Sequence, residues 1–376
     1  MQVILVSRWR TQCGVTEYAF AFKKELDALA DVQMIRVPTT RDRKVLLALA
    51  GQINKGDIAH IQFSQDFYGS WRYPLILHSF MFFLKHIRIP VVITVHDLTY
   101  DLSFLKINGM SLKRIFYNTV IVPFINWTPY GRFLCGRFLD AADQIIVHAN
   151  ADKLSLQSLN IDAQKISLLY PGVLDIQTPN NESIREELGL KGRRLISIFG
   201  FIRPHKGYET VITIMRQLPE DVVLIIAGGV RDEGYSLYLA KLEALISSLG
   251  LQDRVKITGY LDNDRILSVL SASEAILLPY ILPRAASYAL SYAIAARRPV
   301  IASNTTFFSE IEQKYSAIKT FKITNPQAIA RIISEALDCH GQEAQGAAEY
   351  RKIWSWKNVA EKTYKIYCDV LFKKIH

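Results

Sequence analysis

Three observations predict an α/β protein with two parallel sheets, each covered by helices on both faces. First, short apolar runs rich in Val and Ile recur along the 376 residues, without the polar alternation of half-exposed strands. Second, helical patterns separate most of these runs, which is the order that builds parallel sheets. Third, the alternation breaks once, between residues 171 and 193, and then resumes.

The strands are predicted from the apolar runs, which are short and β-branched, as buried strands are. In chain order they are Val3–Ser7, Ile58–Gln62, Val91–Val95, Gln144–Val147, Leu168–Leu169, Leu195–Phe199, Val222–Ala227, Val255–Thr258, Ala275–Leu278 and Val300–Ala302. The helices predicted between them include Thr16–Leu29, Tyr208–Leu218, Tyr235–Leu249 and Asp264–Ser271.

The single break defines the domain organisation. It contains Pro171-Gly172 and a short polar segment rich in Pro and Asn, both typical of a linker. We therefore predict two Rossmann-like domains that face a cleft, residues 1–175 and 190–355, and a last helix, residues 356–376, that packs back on the first domain. Ligands in doubly wound sheets lie at the carboxyl ends of strands, so residues just after strands are the functional candidates.

Charge and cysteine content narrow the functional classes. A net charge of +10 favours anionic partners, such as phosphate-bearing ligands, an anionic membrane surface or nucleic acid. Nucleic acid is not expected, because no binding module and no Lys/Arg run is present. The cysteines form no C-x-x-C pair, so neither a zinc site nor a disulfide framework is expected, and a cytoplasmic location fits. No uncharged apolar run reaches the roughly 18 residues of a membrane span.

Two residues of the first domain follow predicted strands. Gly14 precedes a helix after the first strand, where a glycine allows a ligand close to the backbone and the helix end attracts anions. An ordinary βα turn is the alternative. His96 follows Val91–Val95 and is a candidate general base, with a satisfied loop histidine as the alternative.

Cations follow the first strand of the second domain. Gly200 is followed by Arg203 and Lys206, three residues apart at a predicted helix start. Arg supplies a two-pronged fork to phosphate, Lys a point charge, and the helix end its dipole. The segment is neither a P-loop nor a G-x-G-x-x-G motif, yet it suits a pyrophosphate group.

Two further loops complete the candidate site. Gly259-Tyr260 follows a strand and forms a turn that can hold a flat base through backbone groups. The loop with Arg284, Ser287 and Tyr288 precedes a helix, whose first N–H groups can bind a phosphate together with the Ser287 hydroxyl.

Together these segments resemble the GT-B glycosyltransferases, specifically the large retaining family 4, which includes transferases of bacterial surface polysaccharides. The likeness covers nearly the whole chain. It rests on Cys13-Gly14-Val15-x-Glu17-Tyr18, Asp57-Ile58-x-His60-Ile61-Gln62-Phe63, Val95-His96-Asp97, Pro171-Gly172-Val173, Phe199-Gly200-Phe201-Ile202-Arg203-Pro204-His205-Lys206-Gly207, Gly259-Tyr260 and Pro299-Val300-Ile301-Ala302-Ser303.

The resemblance implies transfer of a sugar with retention, from a nucleotide sugar such as GDP- or UDP-hexose, without a metal or other cofactor. The second domain would hold most of the donor and the first domain the acceptor. His96, Arg203 and Lys206 are the catalytic candidates, the histidine beside the transferred sugar and the cations on the diphosphate. The implied donor-binding residues are Gly14, Gly200, Gly259, Tyr260, Arg284, Ser287, Tyr288 and Tyr292.

One departure from the family pattern leaves two interpretations open. Most members carry an E-x7-E motif here, and the corresponding residues are Arg284 and Tyr292. In one interpretation these residues and Ser287 form a variant donor site of an active glycosyltransferase. In the other, the chain is a noncatalytic partner subunit or a donor-binding scaffold of a glycan assembly complex.

Residues 110–140 suggest where an acceptor binds. Basic and aromatic residues alternate there, including Lys113, Arg114, Trp127, Arg132 and Arg137. Such a stretch suits an anionic membrane interface, although a buried helix pair is the alternative. The membrane interpretation implies a polyprenyl-diphosphate-linked glycan acceptor, a role in surface polysaccharide synthesis, and peripheral contact with the inner face of the plasma membrane.

Overall fold

The computed structural model describes the chain in two compact units. The described residues are 1–8, 13–38, 40, 42–64, 75–97, 116–121, 124, 128–129, 131, 136–176, 181–190, 192–231, 233–282, 287–339 and 342–375. The first unit comprises Met1–Pro171 together with Trp356–His376, and the second comprises Gly172–Ser355.

The first unit contains a six-stranded parallel sheet in the order β2-β1-β3-β4-β5-β6. Its strands are β1 Gln2–Ser7, β2 Asp31–Arg36, β3 Ile58–Phe63, β4 Val91–Val95, β5 Gln144–Val147 and β6 Ile166–Leu168. Its described α-helices are Gly14–Leu26, Arg43–Ile53, Leu75–Lys85, Asn150–Ser158 and Trp356–Ile375. Every residue of β3, β4 and β5 is buried, because helices cover both faces of a parallel sheet.

The second unit contains another six-stranded parallel sheet, in the order β12-β11-β10-β7-β8-β9. Its strands are β7 Arg194–Phe199, β8 Val222–Ala227, β9 Val255–Ile257, β10 Ala275–Leu278, β11 Val300–Ser303 and β12 Lys319–Phe321. Its described α-helices are Asn181–Glu187, Tyr208–Ile214, Ser236–Ser248, Asn263–Ala272, Tyr288–Ala295, Thr306–Tyr315, Pro326–Asp338 and Ala347–Ile353.

The predicted fold class is confirmed, with differences at the sheet edges. Neither β2 nor β12 was predicted, because each edge strand lacks a continuous apolar run. β2 exposes three of its six residues, and β12 has three residues with one of them buried. The predicted strand Leu168–Leu169 overlaps the end of β6, which begins at Ile166.

The last helix, Trp356–Ile375, packs on the first unit through aromatic side chains. The Trp356 ring meets the Tyr18 ring edge-on at 4.7 Å between centroids. Tyr367 is fully buried and lies against the His60 ring, with centroids 5.6 Å apart. Burying side chains of this size stabilises a fold by about 1.5–3 kcal/mol each. Trp356 and Tyr367 therefore stabilise the packing of the last helix on the first unit.

Strand order locates the ligand crevice of each unit. The order reverses between β1 and β3 in the first sheet, and between β7 and β10 in the second. Neighbouring loops leave such a switch point in opposite directions, which opens a crevice outside the carboxyl ends of the strands. The loops after β1, β3, β7 and β10 are therefore the places where each unit can hold a ligand.

Candidate functional site

The loop after β7 packs directly against the loop after β10. It turns at Gly200, with φ 124°, and continues into the short 3₁₀ helix Pro204–Lys206. Gly207 ends that helix with φ 71°, and a Cβ there would lie 2.0 Å from the Pro279 carbonyl oxygen. Only glycine fits so close to a backbone carbonyl in the left-handed conformation, so this residue brings Lys206 to the loop after β10.

Lys206, Tyr280 and Ser287 form a connected cluster at the β7/β10 switch point. The Lys206 ammonium group donates to Tyr280 Oη and also lies 4.0 Å from the centroid of that ring. Tyr280 Oη is 2.9 Å from Ser287 Oγ, at the N-cap of the helix Tyr288–Ala295. The structure therefore brings Lys206 and Ser287 together through Tyr280, a residue that the sequence reasoning did not select.

Backbone contacts among glycines hold the neighbouring loops together. A Cβ on Gly200 would lie 3.2 Å from Lys206 Nζ, so this glycine leaves room for the ammonium group. A Cβ on Gly228 would lie 2.1 Å from the Gly200 oxygen, and one on Gly229 would lie 2.8 Å from the Tyr260 nitrogen. The loops after β7, β8 and β9 are thus in contact. The Gly-Gly pair directly after the strand Val222–Ala227 was the sequence signal for this contact.

Arginine side chains lie beside aromatic rings in the same loops. The Arg203 guanidinium lies 5.3 Å from the Tyr235 ring centroid, and Arg231 lies 5.3 Å from the Phe201 ring centroid. Arginine stacks favourably on aromatic faces. Arg231 was not among the predicted residues, although it follows the Gly-Gly pair by two positions.

The remaining predicted donor-binding residues occupy different environments. Gly259 adopts φ 76°, and the adjacent Tyr260 is 55% exposed. Tyr288 meets Tyr292 edge-on, with ring centroids 5.4 Å apart. The Tyr292 side chain is only 4% exposed, and its hydroxyl donates to Asn263 Oδ1 at 3.1 Å. Arg284 lies outside the described residues.

In the first unit, His96 lies directly after β4 and is partly buried. Its Nε2 is 2.7 Å from Gln62 Oε1, and its backbone N–H donates to the Phe63 carbonyl. Burial, and then the neighbouring charged forms of His148 and His60, hold the pKa of His96 well below the ordinary histidine value. His96 is therefore neutral at physiological pH, and its described polar side-chain contact is the hydrogen bond with Gln62.

Further aromatic and imidazole rings surround His96. Tyr18 meets it edge-on at 4.6 Å, and the His148 ring lies 5.2 Å away, both measured between centroids. His148 donates from Nδ1 to the Leu169 carbonyl at 2.7 Å. Burial, opposed by that hydrogen bond, lowers the pKa of His148 to about 4. Burial, with a smaller effect of His148, lowers the pKa of His60 to about 3.

Gly14 is the first residue of the helix Gly14–Leu26, which follows the β1 loop. A Cβ placed on it would meet no described atom within 4 Å. The residue is preceded by Cys13 in extended conformation, which makes no side-chain capping bond. As far as the described residues go, a ligand can therefore approach the backbone closely at this helix start.

The predicted membrane-binding residues fall mainly on undescribed positions. Lys113, Arg114, Trp127 and Arg132 lie outside the described residues. Arg137 is exposed, and its Nη1 donates to the Leu159 carbonyl at 3.0 Å. Described aromatic neighbours are also exposed, Phe116 to 57% and Phe124 to 69%.

Two features are absent from the described residues. None of the described helices combines the length and apolar character that crossing a membrane requires. In the same residues, no three His, Cys, Asp or Glu side chains are grouped as metal ligands would be.

Residues 180–354 match the family model of glycosyl transferases group 1. These residues make up nearly the whole second unit, Gly172–Ser355. Over this segment the chain is similar to the glycosyl transferases group 1 family. A curated relative of this chain, the D-inositol 3-phosphate glycosyltransferase of Mycobacteroides abscessus, is 30% identical over 162 residues. That match covers 42% of this chain and 34% of the relative, and the chain spans about a third of the length of such curated relatives.

Solved structures share the fold of this chain over nearly its whole length. Anabaena HepE in complex with UDP has a TM-score of 0.73 at 15% identity, covering 98% of this chain and 100% of that chain. Sucrose-phosphate synthase of Thermosynechococcus elongatus has a TM-score of 0.74 at 17% identity, covering 99% of each chain. The two parallel sheets flanked by helices match the two Rossmann-like domains of the GT-B fold.

Proposed function

We propose that this chain transfers a sugar from a nucleoside-diphosphate sugar to a hydroxyl group of a glycan acceptor, with retention and without a metal ion. One observation carries the proposal. Lys206, Tyr280 and Ser287 meet at the switch point between β7 and β10, where a doubly wound sheet binds its ligand. An ammonium group, a hydroxyl and a helix start suit a diphosphate at this position.

The second unit would stabilise the departing nucleoside diphosphate. Negative charge grows on the diphosphate as the bond to the sugar breaks, and Arg203 and Lys206 would neutralise it. Ser287 and the first N–H groups of the helix Tyr288–Ala295 would bind the phosphate oxygens. The backbone turn at Gly259 and the exposed Tyr260 ring would contact the base. Anabaena HepE has been solved with UDP-glucose, which makes UDP-hexoses the first donors to test.

The first unit would contact the transferred sugar and the acceptor. Neutral His96 would orient the sugar by hydrogen bonding to a hydroxyl, and Gly14 would let a phosphate approach the start of its helix. The positions of Arg284 and Tyr292 carry no carboxylate, so the sugar hydroxyls need other partners. We therefore expect the hydroxyls of Ser287 and Tyr288 to take part.

The deciding experiment measures binding of nucleoside diphosphates and their sugars by thermal shift, with EDTA present. We expect one nucleotide to raise the melting temperature of the wild type and to lose this effect in Lys206→Ala. The matched control is Lys319→Ala. Lys319 is exposed at the amino end of β12, whereas the site lies at the carboxyl ends of β7 and β10. Binding by all three proteins alike would contradict the assignment of Lys206.

Binding without transfer would favour the second interpretation of the sequence, a noncatalytic subunit or donor-binding scaffold. Turnover is measured with the bound nucleotide sugar and an extract of lipid-linked glycans as acceptors. The anomeric configuration of the product, read by NMR, tests retention. Inversion would overturn that part of the proposal, and activity restored only by a divalent ion would overturn the metal independence.

We further propose that the acceptor is linked to polyprenyl diphosphate and that residues 110–140 rest on the inner face of the plasma membrane. The exposed rings of Phe116 and Phe124 support this, because aromatic side chains favour the membrane interface. Phe124→Asp should reduce co-sedimentation with vesicles containing anionic lipid. Leu237→Asp, at an 86% exposed position of the second unit, is the control. Equal sedimentation of both variants would contradict the membrane contact.

A further inference from the structure

A chain of buried hydrogen bonds connects the last helix of the first unit to His96. Tyr367 Oη is 2.5 Å from His60 Nδ1. His60 Nε2 is 3.2 Å from Gln62 Nε2. Gln62 Oε1 is 2.7 Å from His96 Nε2. Tyr367, His60 and Gln62 are at most 1% exposed, so water cannot substitute for these contacts.

The amide of Gln62 sets which atom donates and which accepts in these hydrogen bonds. Its Nε2 carries only donors, so the facing His60 Nε2 must be an acceptor. Neutral His60 then carries its proton on Nδ1 and donates it to Tyr367 Oη. Thr94 Oγ1 lies 2.7 Å from the same His60 Nε2, so its hydroxyl and the Gln62 amide would share the single lone pair of that nitrogen. At the other end, Gln62 Oε1 accepts, so His96 must carry its proton on Nε2.

The consequence is that His96, directly after β4, presents a hydrogen-bond acceptor at the carboxyl end of the first sheet. Burial lowers the pKa of both His60 and His96, so both rings stay neutral at physiological pH. With its proton on Nε2, neutral His96 presents Nδ1 as a lone pair that has no partner among the described residues. His148 adds a second acceptor, because its Nδ1 donates to Leu169 and its Nε2 is buried without a partner among the described residues.

We propose that Gln62, His60 and Tyr367 are positioning residues that hold His96 as a hydrogen-bond acceptor for a ligand hydroxyl. The last helix is therefore part of the site, because Tyr367 Oη accepts the hydrogen bond from His60 Nδ1 and so supports the tautomer of His60 that faces the Gln62 amide. The inference rests on the proposed function for the identity of the ligand, a sugar hydroxyl. An acceptor at this position favours hydroxyl groups and disfavours phosphate and carboxylate oxygens.

The first test reads the tautomers directly on ligand-free protein. Long-range ¹H–¹⁵N correlation spectra of protein labelled at histidine distinguish Nδ1–H from Nε2–H, with assignment by single substitutions. We expect Nε2–H on His96 and Nδ1–H on His60 in the wild type, and a changed His96 signal in Gln62→Leu and Tyr367→Phe. The opposite tautomers in the wild type would overturn the proposal, whatever the activity of the protein.

The second test separates positioning from folding. Tyr364→Phe is the matched control, since Tyr364 lies on the same helix and its hydroxyl has no partner among the described residues. We expect Tyr367→Phe to lower kcat about tenfold, the equivalent of one hydrogen bond, and to leave nucleotide affinity unchanged. Tyr364→Phe should change neither. An equal kcat for the two variants would overturn the role of Tyr367.

The two tests also distinguish failure of this inference from failure of the proposed function. Tautomers are read without any substrate, and nucleotide affinity depends on the second unit. A wild type with the opposite tautomers but normal transfer would refute only the inference. A wild type with the expected tautomers that neither binds a nucleotide sugar nor transfers one would refute the proposed function, while its histidine arrangement would support the inference.

Discussion

The two sheets of the molecule present different chemistry at their carboxyl edges. The first unit offers neutral, buried imidazoles, with His96 tied through Gln62 to His60. The second unit offers cations and close backbone turns, with Lys206 beside Gly200 and Tyr280. Both units use the same kind of parallel sheet, so the difference lies in the residues that follow the strands.

Under the proposed function, this difference would divide the transfer reaction between the two units. Charge at the second edge suits a diphosphate, whose charge grows during bond breaking. Neutral acceptors at the first edge suit hydroxyl groups, because they accept a hydrogen bond, which an ammonium or guanidinium group cannot do. The family match covers residues 180–354 and so falls on the charged edge alone. The predictions below test whether each edge works as its chemistry indicates.

The largest effect is expected from Lys206→Ala, because it removes charge from the second edge. Loss of one preorganised electrostatic contact costs about 10²–10³-fold in rate, or roughly 3–4 kcal/mol. The measurement is kcat with the nucleotide sugar identified by thermal shift. Arg203→Ala should also slow transfer, and Lys319→Ala serves as the control. Unchanged rates in both Lys206→Ala and Arg203→Ala would refute the charged-edge interpretation.

A second prediction compares glycines at the two edges. In Gly207→Ala, the new Cβ would lie 2.0 Å from the Pro279 oxygen at φ 71°, so we expect a loss of about 2–4 kcal/mol in unfolding free energy. In Gly14→Ala, no described atom lies within 4 Å of the Cβ, so stability should hold while ligand affinity falls. Urea unfolding and nucleotide binding measure the two effects. Equal destabilisation by both substitutions would contradict the distinction.

The third prediction concerns the pH dependence that the neutral histidines impose. In the unfolded chain a histidine takes up a proton near pH 6.5, whereas burial lowers the folded pKa of His60 to about 3 and of His148 to about 4. The unfolded state therefore binds more protons below pH 6.5. The contribution of these histidines to the free energy of unfolding is fully present above that pH, and it is lost as the pH falls from 6.5 towards 4.

Urea unfolding at pH 7 and pH 5 measures this loss. Each buried histidine should contribute roughly 2 kcal/mol to the difference in unfolding free energy between the two pH values. His148→Gln removes one titrating ring, so the difference should shrink by that amount even if the variant is less stable at both pH values. An undiminished difference in His148→Gln would show that this ring is not held neutral by the fold.

How much of the molecule could be predicted from sequence differs between fold and site. Ten strands were predicted from apolar runs, because buried strands of a parallel sheet need continuous apolar residues. The edge strands Asp31–Arg36 and Lys319–Phe321 were missed, because half of an edge strand faces water and its sequence is polar. Strand order was not predictable, since it depends on packing between distant elements.

The site was predictable only where a local pattern carried the chemistry. Arg203 and Lys206 stood out because cations follow a strand and a glycine within a few residues. Tyr280 did not, because a tyrosine after an apolar run has no distinctive signature. The partner of His60 could not be found from sequence, since Tyr367 is 307 positions away along the chain. Contacts of this kind follow from the packing of the last helix.

The smallest effect is expected from Tyr280→Phe, which tests how Lys206 is held. The substitution keeps the ring that lies 4.0 Å from the ammonium group and removes the hydroxyl that joins Lys206 to Ser287. Loss of one hydrogen-bonding group costs about 1 kcal/mol, so we expect nucleotide affinity to fall less than tenfold. Tyr280→Leu also removes the ring and should weaken binding further. If Tyr280→Phe matched Lys206→Ala, the hydroxyl itself would bind the ligand, and the charged edge would depend on Tyr280 as much as on the cation.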